Sequence, residues 1–254
     1  MSTYTSLLKD VELPLTYSVF LPENTAFDVL HPVELSYLQT RFGRNDRAHL
    51  LHRHVAKEIL YRKNLKKGGT TYSLEGEKIR YELSDGDILV DGANITQGDI
   101  VARNGTSLDN HPLTSGVVHI ISNLTIPESV VFTPLKYLYG MHDITFAETL
   151  AASDSVSLAN DSSIHQTILA PTNEAYADSI SSEEVLNEIL YNFVDSAIDL
   201  DRLNHNDLLA TKYTLNSLDG RAQRIKVTKR HNKTLLNNQV EVLPEAGICS
   251  YIAS

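Results

Sequence analysis

The chain has 254 residues, of which 42% are hydrophobic and 21% are charged, and this balance is typical of a folded soluble protein. With 12 Gly, 8 Pro and a single Cys, the composition excludes a collagen-like chain, a low-complexity chain and a disulfide-held scaffold. The formal net charge of −10 disfavours a general attraction to nucleic acid.

The N-terminal residues Met1–Thr5 show neither the basic nor the apolar part of a signal peptide. No window approaches the roughly 20 apolar residues of a membrane-spanning helix. Two interpretations remain open at this stage. The protein is cytosolic, or the sequence is a piece of a larger protein from which the targeting segment has been removed.

The first strong element is a strand–turn–helix corner at residues 18–27. Residues 167–176 repeat its pattern: an apolar strand, a proline, a polar turn with Asn, and Ala followed by an aromatic residue. Proline cannot donate to a sheet, so it should end each strand. The polar residues that follow are predicted helix caps: Glu23, Asn24, Thr172 and Asn173.

Helical patterns cluster in the first half of each repeat, at 34–41, 46–60, 144–152 and 183–197. Short strands follow. Residues 79–83 alternate, 84–87 contain the Asp-Gly of a hairpin turn, and 117–121 form an apolar strand. Helices followed by strands indicate an α+β class.

Three further segment pairs continue the repeat. Residues 50–55 correspond to 189–194, 74–76 to 218–220, and 98–101 to 246–249. This correspondence predicts two domains, 1–130 and 134–254.

These ordered motifs resemble the fasciclin domain over nearly the whole chain. Residues 167–176 follow the first family motif closely, and 18–27 follow it less closely. Leu50–Val55 with Leu60-Tyr61 fits the second motif, and Asp99-Ile100 with Gly116–Ile121 fits the closing one. The resemblance implies two tandem domains, each with about seven strands in a wedge or sandwich and with helices on one side.

Departures from the family pattern weigh against integrin-type recognition at the second motif. Arg53 stands where the family has the Tyr of Tyr-His, and Phe193 is predicted to take the place of His54 in the second copy. The second copy also ends before a counterpart of strand 117–121. We therefore expect either a fragment or a final strand supplied from elsewhere.

No catalytic, metal or cofactor site is predicted. His49, His52 and His54 could suggest zinc, but two solvated histidines and one buried structural His54 explain them better. His119 is likewise predicted to be structural. Asp85, Asp87 and Asp91 fit a hairpin better than a calcium loop, since the glycine and glutamate positions of that loop hold Val90 and Thr96.

The region 41–67 holds nine Lys or Arg against Asp46 and Glu58, and residues 221–233 hold six with no acid. Such regions could bind acidic glycans or anionic lipid. A solvated surface balanced by nearby carboxylates is the competing interpretation. The candidate binding residues are Arg53, His54, Lys57, Asp99 and Ile100.

Five Asn-x-Ser/Thr sequons are candidate glycosylation sites: Asn94, Asn104, Asn123, Asn160 and Asn232. Family members are usually extracellular or lumenal, so the resemblance implies a non-catalytic adhesion or scaffolding module of the cell surface or the vacuolar lumen. It would reach that compartment by the secretory pathway, with a parent that could be membrane-anchored. Its partner would be a protein or cell-surface ligand, and the oligomeric state stays open. The alternative is a lumenal module that binds an acidic glycan or anionic lipid through the region 41–67.

Overall fold

A computed structural model describes residues 3–8, 17–102, 107–108, 111–112, 116–161, 164–177, 185–215, 219–231 and 233–243. The chain divides into two compact units, Met1–Val131 and Phe132–Ser254, called here the first and second unit. Across the described residues, every helix is too short or too polar to cross a membrane.

The first unit combines short helices with a large sheet. Its helices are α1 (Thr3–Leu7), α2 (Pro32–Gln39), α3 (Arg44–Arg53) and α4 (Arg62–Leu65), and a 3-10 helix covers Asn24–Val29. Its strands are β1 (Ser18–Pro22), β2 (Val55–Ala56), β3 (Gly69–Tyr72), β4 (Lys78–Ser84), β5 (Asp87–Val90), β6 (Ala93–Ala102), β7 (Ser107–Leu108), β8 (His111–Pro112) and β9 (Gly116–Ile121).

Seven of these strands form one sheet in the order β2-β1-β9-β6-β5-β4-β3. Strands β1 and β9 run parallel through five residue pairs, and the other neighbours run antiparallel. A further bridge between Ala56 and Ser73 joins the two ends of this order, so the sheet closes on itself. One face of the ring encloses a core of Phe20, Ala56, Leu60, Leu65, Ile79, Ile88, Val90, Ala93, Ile95 and Ile121.

The predicted helix at 46–60 is too long. Helix α3 ends at Arg53, and residues 55–56 pair with β1 as strand β2. The apolar spacing misled the prediction because Val55 and Leu60 are buried from a strand and a loop, not from a helix face. Ile59, which a helix over 46–60 would place on the same face as Val55, is 40% exposed.

The second unit has the same sequence of helices followed by strands. Its helices are α5 (Pro134–Gly140), α6 (Ile144–Ala151), α7 (Val156–Asn160), α8 (Asn173–Ala177) and α9 (Val185–Tyr191), with a 3-10 helix at Leu200–Arg202. Its strands are β10 (Thr167–Ile168), β11 (Phe193–Val194), β12 (Leu208–Leu215), β13 (Arg221–Arg230), β14 (Lys233–Leu236) and β15 (Val240–Glu241). They form one sheet in chain order. The helix predicted to reach residue 197 ends at Tyr191, because β11 begins at Phe193.

The central hairpin of each unit has the same register. In the β4–β5 hairpin the residue pairs run from Tyr81–Val90 to Ser84–Asp87. In the β13–β14 hairpin they run from Val227–Leu236 to Arg230–Lys233. In both turns the second residue has a positive φ, 51° at Asp85 and 47° at His231. The Asp-Gly turn predicted from the sequence is therefore confirmed, and His231 has a backbone φ similar to that of Asp85.

The asparagines of the two strand–turn–helix corners have equivalent roles. Asn24 Oδ1 accepts a hydrogen bond from the Thr3 amide at 2.9 Å, and Asn173 Oδ1 accepts one from the Thr145 amide at 3.0 Å. Each asparagine therefore holds the start of an earlier helix, α1 or α6, and does not cap its own. The prediction that Asn24 and Asn173 cap the helices they open needs this correction.

The α+β class predicted from the sequence is confirmed, with seven strands in the sheet of the first unit. The predicted match between 98–101 and 246–249 lies outside the described residues, because the description ends at residue 243.

Candidate binding site

Arg53, one of the predicted binding residues, lies in the interior of the first unit. It is the last residue of α3 and only 7% exposed. Its Nε lies 2.8 Å from Glu77 Oε2, and its Nη2 lies 2.6 Å from Asp91 Oδ2. Glu77 lies in the turn between β3 and β4, and Asp91 directly follows β5. Arg53 therefore ties a helix end to the sheet and is not presented to a surface ligand.

His54 is buried as expected, at 3% exposure. Its Nδ1 donates to the Leu50 carbonyl at 2.9 Å, and its Nε2 accepts from the Thr125 amide at 3.1 Å. This pair of partners requires a neutral ring with the proton on Nδ1. Burial lowers the pKa of His54 from 6.5 to about 4. His54 thus joins α3 to the segment that follows β9.

The residue that takes the place of His54 in the second unit is Asn192, not Phe193. The Phe20 amide bonds to the His54 carbonyl, and the corner-equivalent Leu169 amide bonds to the Asn192 carbonyl, each at 2.8 Å. Ser18 pairs with Ala56, and Thr167 pairs with Val194. The predicted correspondence of 50–55 with 189–194 is therefore one residue out of register at its strand end, where Val55 matches Phe193 and Ala56 matches Val194.

His119, from β9, organises the closing motif. It is fully buried, its Nε2 donates to the Leu60 carbonyl at 2.7 Å, and its Nδ1 accepts from the Asp99 amide at 3.3 Å. Its ring stacks on Phe20, with centroids 5.6 Å apart. Burial lowers the pKa of His119 below its usual 6.5. The two buried histidines therefore carry their protons on opposite nitrogens.

Asp99 sits at an irregularity of β6, with a positive φ of 58°. Its Oδ1 accepts from the Arg62 amide at 2.7 Å, which fixes the start of α4 against the strand. The preceding residue must be Gly98, since an added Cβ would lie 2.9 Å from both the Arg62 side chain and the His119 ring. His119 and Asp99 together place the loop before α4 beside the end of β6.

The exposed residues around this motif are called here the Asp99 surface: Lys57, Ile59, Asp99, Ile100 and Val101. Ile59, Ile100 and Val101 are 40%, 37% and 51% exposed. Ile100 and Val101 are successive residues of β6, so their side chains project to opposite faces of the strand. Of the five predicted binding residues, Lys57, Asp99 and Ile100 can reach a partner, whereas Arg53 and His54 cannot.

Folding leaves fewer exposed cations in the basic region 41–67 than its sequence contains. Arg47 is buried and donates to the Leu38 carbonyl at 2.7 Å, and Arg53 is paired as described above. Arg41 lies over the Phe42 ring. The remaining exposed cations are Arg44 at the start of α3, Lys57 after β2, and Lys63, Lys66 and Lys67 in α4 and directly after it.

His49 and His52 are joined by one carboxylate. Glu75 Oε2 lies 2.5 Å from His49 Nδ1, and Glu75 Oε1 lies 3.2 Å from His52 Nδ1. These contacts tie α3 to the turn before β4. Among the described residues, no three His, Cys, Asp or Glu side chains converge in a way that could hold a metal ion.

The sequons differ in access. Asn123 and Asn160 are exposed. Asn94 lies in β6, and its Oδ1 is buried without a hydrogen-bond partner among the described residues. Asn104 and Asn232 lie outside the described residues.

Two comparisons with known proteins bear on these features. The family model described as the fasciclin domain matches residues 1–127, which covers the corner, the buried histidines and the Asp99 surface. The chain is also similar to a solved FAS1 domain pair from the insect cell adhesion molecule Fasciclin I. The sequence identity is 13% and the TM-score 0.33, over 91% of this chain and 82% of that one.

Proposed function

The chain belongs to the fasciclin domain family, whose members generally serve as adhesion modules in extracellular proteins, and on that premise we propose that it is a non-catalytic adhesion or scaffolding module. The observation that carries the proposal is the family match over residues 1–127, which includes both buried histidines and the segments they join. The proposal places the protein at the cell surface or in a lumenal compartment.

We further propose that the second unit is a second fasciclin-like domain, covering residues 134–254. The shared hairpin register supports this assignment, as do the two asparagine anchors and the equivalent positions of His54 and Asn192. The hairpin register and the position of His54 and Asn192 rest on backbone contacts, and the two anchors use an asparagine side chain that both units have.

The Asp99 surface is the proposed contact with a protein partner. Its three apolar side chains favour a protein surface over a purely anionic ligand, because apolar area released from water contributes to association only when the partner offers apolar area too. The acidic glycan considered for the region 41–67 is less favoured there, since Arg47 and Arg53 are turned inward.

A cell-retention assay tests the proposal. Plates coated with the full chain should retain cells above an albumin-coated plate, and Ile100→Asp should reduce that retention. Leu83→Asp is the matched control, because Leu83 is 50% exposed on β4 and lies outside the Asp99 surface. A wild-type chain that retains no cells and sediments as a monomer would contradict an adhesion role. Equal losses in the two variants would contradict the assignment of the surface.

A further inference from the structure

The same hairpin differs in charge between the two units: both keep two cations at its start, and only the first unit adds carboxylates. Strand pairing makes seven positions of the β4–β5 hairpin equivalent to seven of the β13–β14 hairpin and the turn that follows. In the first unit they hold two cations and four carboxylates: Lys78, Arg80, Glu82, Asp85, Asp87 and Asp91. In the second unit they hold four cations and no carboxylate: Arg224, Lys226, Arg230 and Lys233.

The backbone around this difference in charge is unchanged. Asp91 Oδ1 accepts from the Arg80 amide at 2.8 Å, and Asn237 Oδ1 accepts from the Lys226 amide at 2.9 Å. Asparagine therefore keeps the hydrogen bond and removes the negative charge. Both Asp91 and Asn237 supply the acceptor that the turn needs. The stability of the turn therefore does not explain why the hairpin of the second unit has no acidic residue.

The cations point to solvent on one side of β13. Ile225 and Val227 are buried in the core of the second unit, and Arg224 and Lys226 alternate with them on the outer face. Thr228, the next residue on that face, is fully buried, and Arg230 is exposed beside the turn. Arg224, Lys226 and Arg230 are exposed, and no ion pair is found for them among the described residues. Their strand neighbours across the ladder are Ala210 opposite Arg224 and Leu208 opposite Lys226, neither of them charged.

Two carboxylates lie near the ends of this row. Glu241 Oε2 is 2.7 Å from Lys233 Nζ, and Asp219 lies in the turn before Arg221. At the tip, Lys229, Arg230, His231, Lys233 and Thr234 line an open cleft.

We propose that the outer face of β13 and its hairpin tip bind a sulfated polysaccharide. Alternate residues of a strand lie roughly 7 Å apart, so Arg224 and Lys226 form a close pair of cations. Arg230 lies roughly 14 Å further along β13, beside the other cations of the tip, and a linear chain of sulfate and carboxylate groups can span both places. In a protein of net charge −10, these cations concentrate local attraction that the whole molecule does not provide. The site is distinct from the Asp99 surface and does not depend on an adhesion role.

The test uses the full chain and heparin, with the dissociation constant measured at several NaCl concentrations. The wild-type chain should bind at low salt and weaken steeply as salt increases. Arg224→Gln with Lys226→Gln should weaken binding about 30-fold, because each cation contributes separately near an anionic chain. The matched control is Lys78→Gln with Arg80→Gln in the first unit, which changes the net charge equally and should alter binding less than about threefold.

Several outcomes would overturn the proposal. They are the absence of heparin binding at low salt, equal losses in the two double variants, and a loss confined to Lys66→Gln with Lys67→Gln in the region 41–67. Vesicles of phosphatidylserine and phosphatidylcholine form a separate arm, and binding to them without heparin binding would point to a membrane ligand instead. Thermal unfolding of each variant confirms that it is folded. If a double variant unfolds, Arg230→Gln at the hairpin tip replaces it.

Discussion

His54 and Asn192 make the same hydrogen bond in two different parts of the chain. His54 Nδ1 donates to the carbonyl of Leu50, and Asn192 Nδ2 donates to the carbonyl of Glu188, at 2.9 and 3.0 Å. Each side chain reaches back four residues and closes the end of a helix that leads into a strand beside the corner. Only the imidazole has a second nitrogen, and in His54 that nitrogen accepts from the Thr125 amide.

We predict that His54 makes the first unit less stable in acid. Its pKa is about 4 when folded and 6.5 when unfolded, so the unfolded chain binds the proton more tightly. Stability should therefore fall as the pH drops below 6.5, by about 3 kcal/mol in total near pH 4. The lowered pKa of His119 acts in the same direction.

His54→Asn, which copies the second unit, isolates the effect of His54. Urea unfolding of the wild type and the variant should be compared from pH 7.5 to pH 4.5. The variant should be less stable at pH 7.5, since it loses the bond from Thr125, but its stability should decline less with acid. Parallel stability curves for the two proteins would show that His54 is not the titrating group.

Arg53 should be a major source of stability for the first unit. Arg53→Met leaves Glu77 and Asp91 without their partner in a partly buried place, and we expect a loss of about 3 kcal/mol. Asp91→Asn keeps the acceptor for the Arg80 amide, as Asn237 does for Lys226, so it should cost less, about 1–2 kcal/mol. Urea denaturation measures both. If Arg53→Met lowered the free energy of unfolding by less than about 0.5 kcal/mol, Arg53 would contribute no more than an exposed surface ion pair, and the prediction would be wrong.

Gly43 is predicted to tolerate no side chain. A Cβ there would lie 2.2 Å from the Tyr37 carbonyl oxygen and 2.9 Å from the Leu38 Cα, both backbone atoms that cannot turn aside. Gly43→Ala should cost about 3 kcal/mol, measured as a shift of the urea midpoint. Gly92→Ala is the comparison, because its Cβ would meet nothing within 4 Å and only its φ of +79° opposes it. It should cost less, about 1 kcal/mol.

Glycosylation should follow side-chain access. On secretion from a eukaryotic host, we expect glycans at Asn123 and Asn160 and none at Asn94, whose amide oxygen is enclosed in the sheet. Enzymatic deglycosylation followed by mass spectrometry checks this. Asn123→Gln and Asn160→Gln should each remove one glycan, whereas Asn94→Gln should leave the mass of the attached glycans unchanged. A glycan on Asn94 would mean that β6 opens before the enzyme acts.

Local patterns predicted much of the fold, and long-range pairing explains what they missed. The corners, the Asp-Gly turn and strand β9 follow from residues that are adjacent in the sequence. The burial of Arg53 depends on Glu77 and Asp91, which lie 24 and 38 residues further along, and no local pattern links them. The parallel pairing of β1 with β9 and the register at Asn192 also arise only when distant strands meet.

The pairing of β1 with β9 has a consequence for a protein that carries tension. Strand β1 begins at Ser18, strand β9 ends at Ile121, and the two strands run parallel through five residue pairs. A pull that separates the two ends of the first unit therefore slides one strand along the other and strains all of their hydrogen bonds at once. Bonds loaded together resist more force than bonds opened one after another, so we expect the first unit to resist a pull along β1 and β9 more strongly than a pull that peels the two strands apart.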